Sequence, residues 1–431
     1  MPRKLPALLV VAFLLAPILT GCFDAHEIDD EVYAISVGVD KGTTSKVRLT
    51  IQYPNYKSGG GDSGSSEKDP ASVSSKNDQE SSSVQTMEAP TMLEAVDMFS
   101  MAISRRVSLI HAKWFIFSEE FAREGIEGYI AGLERFRETR ASTAVLITRG
   151  KAEDFIRENR PSTGENISKS VELFLAQSKA TGFFPDIRFI DFYTTLFSSY
   201  RSPVALYGGI NDLQESSVPE NGSGSLTGRK NVLPGELPRS GISKRELIGL
   251  SVFDGGKMVG SLGPYETAGY LMITGLYRGG RISIPDRYKP EDAIVFDLHN
   301  SRSPKIKAYF KDGKPVVDVK IAMESEIYVI QSRIDYEDLS HQNELASQIT
   351  EYIQNCLNAT VRKTQKELHT DIFGFGEWMA GNFSTIEEWE NYNWLSHYSE
   401  AEINVSADVK VRRTGLIFHS SSVFSSKGRG E

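Results

Sequence analysis

The apolar run from Leu5 to Leu19 constrains the chain more than any other feature, because it separates what touches a membrane from what must fold outside one. It is broken by Pro17, and its length of about 15 residues falls short of the roughly 20 that a helix needs to cross a bilayer. Arg3 and Lys4 precede it and small residues close it, which is the layout of a cleaved export signal. An ordinary export signal makes no demand on the residue after the cut. Leu19, Thr20 and Gly21 form a lipobox, and Cys22 supplies the thiol that would carry S-diacylglycerol, with an N-acyl chain such as palmitate on its freed amine. Residues 1–21 are thus expected to be a signal peptide. No later run approaches spanning length, so the rest is expected to be an ectodomain whose contact with the bilayer runs through Cys22.

Composition narrows the partners. The 431 residues carry a formal net charge of −9, and removing Arg3 and Lys4 with the signal makes it −11. Nucleic acid is excluded as a partner on this ground, and direct adhesion to anionic headgroups is disfavoured. Of two cysteines one is expected on the lipid, so Cys356 has no mate for a disulfide and reads as a small buried hydrophobe.

Patterning divides the mature chain into three parts. Residues 22–205 read as an N-terminal α/β domain: a hairpin around Lys41-Gly42-Thr43, then helices and strands in alternation, with a helix opened by Pro90, a strand over 110–117 and a helix over 121–136. Within it, residues 57–83 are almost devoid of apolar side chains and read as a disordered loop insert. Residues 206–285 read as a small middle domain built on a hairpin at Asp254-Gly255-Gly256-Lys257. Residues 286–424 read as an α+β domain, an antiparallel sheet packed by one long helix, and 425–431 as a disordered tail.

The long helix is the clearest element. Leu345, Ile349, Ile353, Cys356 or Leu357 and Val361 recur every three to four residues between His341 and His369, with Ser340 as the expected cap. Gln348, Glu351 and Lys363 are expected to face outward. Asp312-Gly313 marks a tight hairpin turn, and Ile403, Val405, Ala407, Val409 and Val411 alternate with polar residues in a final strand.

No catalytic, nucleotide or metal motif stands out: there is no nucleophile elbow, P-loop or His-Glu-x-x-His. His111 and His369 lack a second histidine at ligand spacing, and no metal is expected. The acidic cluster of Asp24, His26, Glu27, Asp29, Asp30 and Glu31 lacks the spacing of a calcium loop and reads as a solvated tether. The segment Asp371 to Glu377 reads as a helix stop, with Gly374 or Gly376 left-handed and Phe373 and Phe375 packed below.

Taken in order, several segments resemble the Ger(x)C family, the lipoprotein C subunit of spore germinant receptors. They are Cys22-Phe23-Asp24 with Glu27-Ile28, then Gly38-Val39-Asp40-Lys41, Ala95 to Arg106, His111 to Phe117, Gly249 to Gly263, Gln365-Lys366 with Asp371 to Glu377, and Val409 to Gly415. Phe23 departs from the commoner tryptophan, and the 57–83 insert is longer than the family pattern. The resemblance implies a lipid-anchored, three-domain α/β and α+β ectodomain with no enzymatic activity and no cofactor. It would sit on the outer face of the spore inner membrane beside membrane-embedded A and B subunits, acting in nutrient-triggered germination. Two rival readings are a solute-binding lipoprotein of a transporter, which would show two similar lobes, and a membrane-anchored wall hydrolase, which would need paired carboxylates or a nucleophile dyad.

Overall fold

A computed structural model describes residues 27, 30–55, 82–161, 166–212, 232–336, 338–413, 415, 424–425 and 428–429. The lipobox Leu19 to Cys22 and most of the expected insert lie outside these residues.

Strand β1 (Glu31–Tyr33) is followed by β2 (Ser36–Lys41) and β3 (Val47–Pro54), which pair antiparallel as the expected hairpin. Strand β4 (Ser82–Ala89) then pairs with β3, so Ser82 and Ser83, read as the end of a disordered insert, begin a strand instead. Helix α1 (Met92–Ile103) starts where Pro90 announces it, with the Thr91 hydroxyl accepting from Glu94 N at 3.2 Å. Beyond β5 (Arg106–Ser108), the strand expected over 110–117 begins only at β6 (Trp114–Ser118). The helix expected over 121–136 is two, α2 (Glu119–Glu124) and α3 (Glu127–Arg135), because Gly125 takes a φ of 125° between them.

Strand β7 (Ala144–Thr148), helices α4 (Ala152–Arg157), α5 (Ile167–Ala176), α6 (Ser178–Thr181) and α7 (Phe189–Leu196), and β8 (Val204–Ile210) complete the alternation. The hairpin of β9 (Arg245–Asp254) and β10 (Lys257–Leu262) closes an eight-stranded sheet of order β10-β9-β8-β7-β6-β2-β3-β4. Its centre, β2, β6, β7 and β8, is parallel. Helices intervene between parallel strands and cover both faces, so every residue of β6 and β7 is buried. Phe115 and Phe117 pack on one face of this first body, with Phe99, Phe121 and Phe189, while Trp114 and Ile116 pack on its other face, with Phe155 and Val171.

The second core is one-sided. Helix α8 (Pro264–Ile273) leads to β11 (Arg281–Pro285), β12 (Ala293–Asn300), β13 (Lys305–Lys311) and the long β14 (Lys314–Ile330). β12 and β13 lie end to end, antiparallel to β14, and Asp312 and Gly313 make the turn with φ of 51° and 77°, the pair of left-handed residues a type I′ turn needs. Helix α9 (Leu339–Lys363) carries the chain back, so β15 (Glu402–Arg413) enters parallel to β14 on its other edge. The antiparallel sheet under one long helix is therefore present, with one parallel strand added by the helical crossover. Leu345, Ile349, Ile353, Leu357 and Val361 are buried as their spacing predicts.

Three details of the helix differ from expectation. Asp338, not Ser340, is the cap, its carboxylate accepting from Ser340 N at 2.9 Å. Residues Thr364–Leu368 continue as a π-helical turn that a left-handed His369 stops. Gln348 and Lys363 do not face free solvent: Gln348 Nε2 donates to Pro285 O at 2.7 Å, and Lys363 pairs with Glu266 at 3.3 Å.

The segment 206–285 is shared between the two cores. Most of β8 and all of β9 and β10 extend the first sheet, whereas α8 packs in the second core through Leu271, Met272 and Ile273. At the end of the chain, Phe424–Ser425 and Gly428–Arg429 form a short antiparallel pair.

Candidate functional site

Between the two cores lies a joint organised by Asp371, a residue fully withdrawn from solvent. The π-helical turn and His369 fold the chain back sharply, which delivers Asp371 to the rear of the second core. Its Oδ1 accepts from the backbone N–H of Phe373 and Gly374, both at 3.0 Å, and its Oδ2 from Gly376 N at 3.1 Å and Trp394 Nε1 at 2.8 Å. Burial pushes this carboxyl up to about 6, while the four N–H donors pull the other way by favouring the charged form.

The same residue grips the first domain. Ser202 N, in the connection from α7 to β8, donates to the Asp371 carbonyl at 2.7 Å. In that connection Tyr200 stacks on Trp389 with ring centroids 5.3 Å apart, and Trp389 Nε1 donates to Ser199 Oγ at 2.9 Å. Trp389 belongs to α11 (Ile386–Tyr392), which follows α10 (Phe375–Met379). A Cβ on Gly376 would stand 2.4 Å from Tyr200 O and 2.6 Å from Trp394 Cδ1, so the glycine permits the two cores to close.

This corrects the reading of residues 371–377 as a helix stop. His369 makes the stop, and Gly374, at a φ of 80°, opens α10. Gly376 is not left-handed; space, not backbone conformation, requires it there. Phe373 and Phe375 do pack below, stacked at 5.0 Å. Gln365, of the neighbouring Gln-Lys pair, donates to Tyr398 O at 3.1 Å and Ala401 O at 2.9 Å, tying the end of the long helix to the entry of β15.

A second tie runs through α8. Cys356, buried as expected, donates from Sγ to Tyr265 O at 3.0 Å, and Thr360 Oγ1 donates to Glu266 O at 3.1 Å. Since β10 runs directly into α8, the edge of the first sheet is fastened to the long helix.

Asp40, in the Gly-Val-Asp-Lys segment, is the last residue but one of β2 and lies beside Ser118 at the end of β6. The chain leaves β2 toward one sheet edge and returns to β6 on the other side, so a crevice forms at this switch point, where open α/β sheets commonly bind ligands. Here the Asp40 carboxylate itself accepts from Ala152 N at 2.8 Å and Glu153 N at 2.9 Å. Burial pushes its pKa up, and those two amides with the Ser118 hydroxyl oppose the shift.

The remaining expectations fall apart in space. Cys22, with Leu19, Thr20 and Gly21, lies outside the described residues, as do Asp24 and Asp29. His111 packs edge-on to Tyr33 at 4.8 Å, and His369 meets Ser399 at 3.0 Å. Among the described residues no group of three or more potential ligands could hold a metal ion, and no helix is long and apolar enough to cross a membrane. Sequence reasoning missed Ser202, Tyr200, Trp389 and Trp394: each carries no local signal, and Tyr200 and Trp389 are brought together only by the fold.

Comparison with known proteins covers most of the chain. Residues 24–209 match the family described as the spore germination protein N-terminal domain, and residues 248–415 match spore germination B3/GerAC-like, C-terminal. Spore germination protein KC of Bacillus subtilis is 26% identical over 96% of this chain and 97% of its own length. Spore germination protein YndF of the same organism is 24% identical over 96% and 98%. Among solved structures, the crystal structure of the GerBC protein superposes with a TM-score of 0.51 at 16% identity, over 87% of this chain and 96% of that one, which is a likeness of fold.

Proposed function

We propose a function on this premise: the chain belongs to the GerAC-like family of spore germination proteins. Its relatives are named for spore germination, and a role in that process follows from membership. Within it, the reading is a lipid-anchored, non-catalytic subunit of a germinant receptor. It would scaffold or couple membrane-embedded A and B subunits on the outer face of the spore inner membrane, with Cys22 as the attachment.

The Asp371 joint carries this reading. A coupling subunit must pass a displacement at one surface to another, which requires two bodies fastened without slack. The joint supplies that through the Ser202 N–H bond to the Asp371 carbonyl, the Trp389 indole bond to Ser199, the Tyr200–Trp389 stack and a close glycine approach, while the buried carboxylate holds the Asp371 turn in shape. The reading also fixes where the protein would stand. Nine steps of chain separate Cys22 from Glu31, whose carboxylate is bound to Arg106 at 3.0 Å, so β1 would lie within ~32 Å of the anchor. Such tethering raises the effective concentration for partners in the same membrane and lets modest interfaces suffice.

Cys22→Ala is expected to release the protein from spore membranes or leave an uncleaved precursor, and deletion of the protein to abolish the response to one class of nutrient while sparing nutrient-independent germination. Processed, membrane-retained Cys22→Ala protein would remove the anchor from the reading. Germination unimpaired toward every nutrient would remove the receptor role.

A further inference from the structure

Two clefts of nearly equal size open at opposite ends of the parallel strands, and their charges are disposed differently. The switch-point crevice, about 430 Å³, already has its backbone donors filled by Asp40, and its Arg48 is held by Glu88 and Glu153. The other cleft, about 440 Å³, lies before the starts of β6 and β7. Both fall within the ~300–1,000 Å³ typical of small-molecule sites.

Separate segments of the first domain converge on the second cleft. Lys113 comes from the entry to β6, Arg140 from the entry to β7, Lys179 from α6 and Arg188 from the entry to α7. Lys113 is neutralised by Glu172 of α5 at 2.7 Å, and Arg188 by Asp186 at 2.6 Å. Arg188 Nη1 also donates to Ser142 O at 3.2 Å, which stiffens that wall. Arg140 and Lys179 have no ion-pair or hydrogen-bond partner for their side chains among the described residues. Two uncompensated cations thus share one concavity of a chain whose net charge is −9. A concave wall focuses their field on an anion that enters.

We propose that this cleft binds a small anion bearing carboxylate or phosphate groups, with Arg140 and Lys179 holding its charged end. A guanidinium offers paired donors matched to either group, and an ammonium adds a point charge. His111 lines the same wall. Its burial, with Arg140 and Lys113 nearby, lowers its pKa, so at neutral pH it contributes a neutral ring able to accept or donate a hydrogen bond.

The ligand could be a free metabolite or the headgroup of an anionic lipid, and three probes separate these sources. The full chain in nonionic detergent would be titrated calorimetrically, at constant ionic strength, with inorganic phosphate, succinate and glycerophosphoglycerol, the deacylated headgroup of phosphatidylglycerol. Saturable binding of at least one probe is expected, weakened at least tenfold in the Arg140→Ala, Lys179→Ala double variant and unchanged in Lys151→Ala at the switch-point crevice. Binding of the phosphodiester alone assigns the cleft to a headgroup; binding of phosphate or succinate assigns it to a soluble anion. Both substituted side chains are exposed, so an unchanged thermal unfolding curve confirms that the double variant is folded. The proposal is overturned by three results: no saturable binding of any probe, equal binding by the double variant, or equal weakening by Lys151→Ala.

Discussion

The two sheets solve the same burial problem in opposite ways. The first is covered on both faces, so β6 and β7 are apolar up to their last residue and their sequence gives no period. The second is covered on one face by α9, and its strands alternate, with Ile306 and Ala308 turned toward the core and Lys305, Lys307 and Tyr309 toward solvent. A strand with a wet face announces both its presence and its orientation. One without is legible only as a short apolar run.

The sharpest way to break this contrast is Trp114→Ala at the centre of the first sheet. Trp114 is fully buried, donates from Nε1 to Ser36 Oγ at 2.7 Å and packs against Phe155 at 5.7 Å. Its loss should cost about 3–5 kcal/mol in urea unfolding. A cost near zero would mean that this face is not closed. In the second core, Ile353→Ala removes methylenes from the middle of the helix stripe and should cost about 2–5 kcal/mol.

The joint between the sheets responds to pH as well as to substitution. Asp371→Asn keeps the shape but turns an amide N–H₂ toward donors, leaving buried N–H groups unpaired at about 1–3 kcal/mol. With the folded pKa raised to about 6 from an ordinary 3.8, the carboxyl's contribution to stability is complete below 3.8 and is lost as pH rises through about 6. The wild-type chain should therefore lose stability across that window relative to Asp371→Asn. Parallel pH profiles for the two proteins would show that the four donors cancel the effect of burial.

What could be read from the chain follows the same division. The strict alternation of Ile403 to Val411 gave β15 to within about two residues, and the stripe from Leu345 to Val361 gave the body of α9 but neither its cap nor the π-helical turn that follows Lys363. Asp312-Gly313 gave the hairpin turn. Strand β4 escaped because Ser82 to Ala89 is polar and half-buried at the sheet edge, and its pairing with β3 includes a Thr50–Thr86 hydroxyl contact that no period reveals. Strand β8 escaped because Gly208 and Gly209 interrupt an apolar run whose meaning depends on β9 lying beside it. The joint was half legible: Asp371 to Glu377 stood out as unusual, but its partners Ser199 to Ser202 lie about 170 residues earlier, and a π-helical turn had to bend the chain before they could meet.

Asp338→Ala tests a feature that local pattern misplaced by two residues. The carboxylate satisfies one of the four N–H groups left open at the start of α9, so its removal should cost about 1 kcal/mol, and Ser340→Ala less. The reverse order would restore Ser340 as the cap.

Lys307→Ala carries the smallest effect and completes the contrast between the sheets. Lys307 lies on the exposed face of β13, opposite Asp318 of β14 in register but without an ion pair to it. Its removal should change stability by under about 0.5 kcal/mol. No residue of β6 or β7 offers an equally silent position, since both faces of those strands are inside. A scan of single alanines along β6, and along β13 at every position but Ala308, should therefore give a continuous run of losses in the first and losses confined to the core-facing positions in the second. An alternating record along β6 would show that one face of the first sheet is open to water, and the account of two differently covered sheets would fail at its premise.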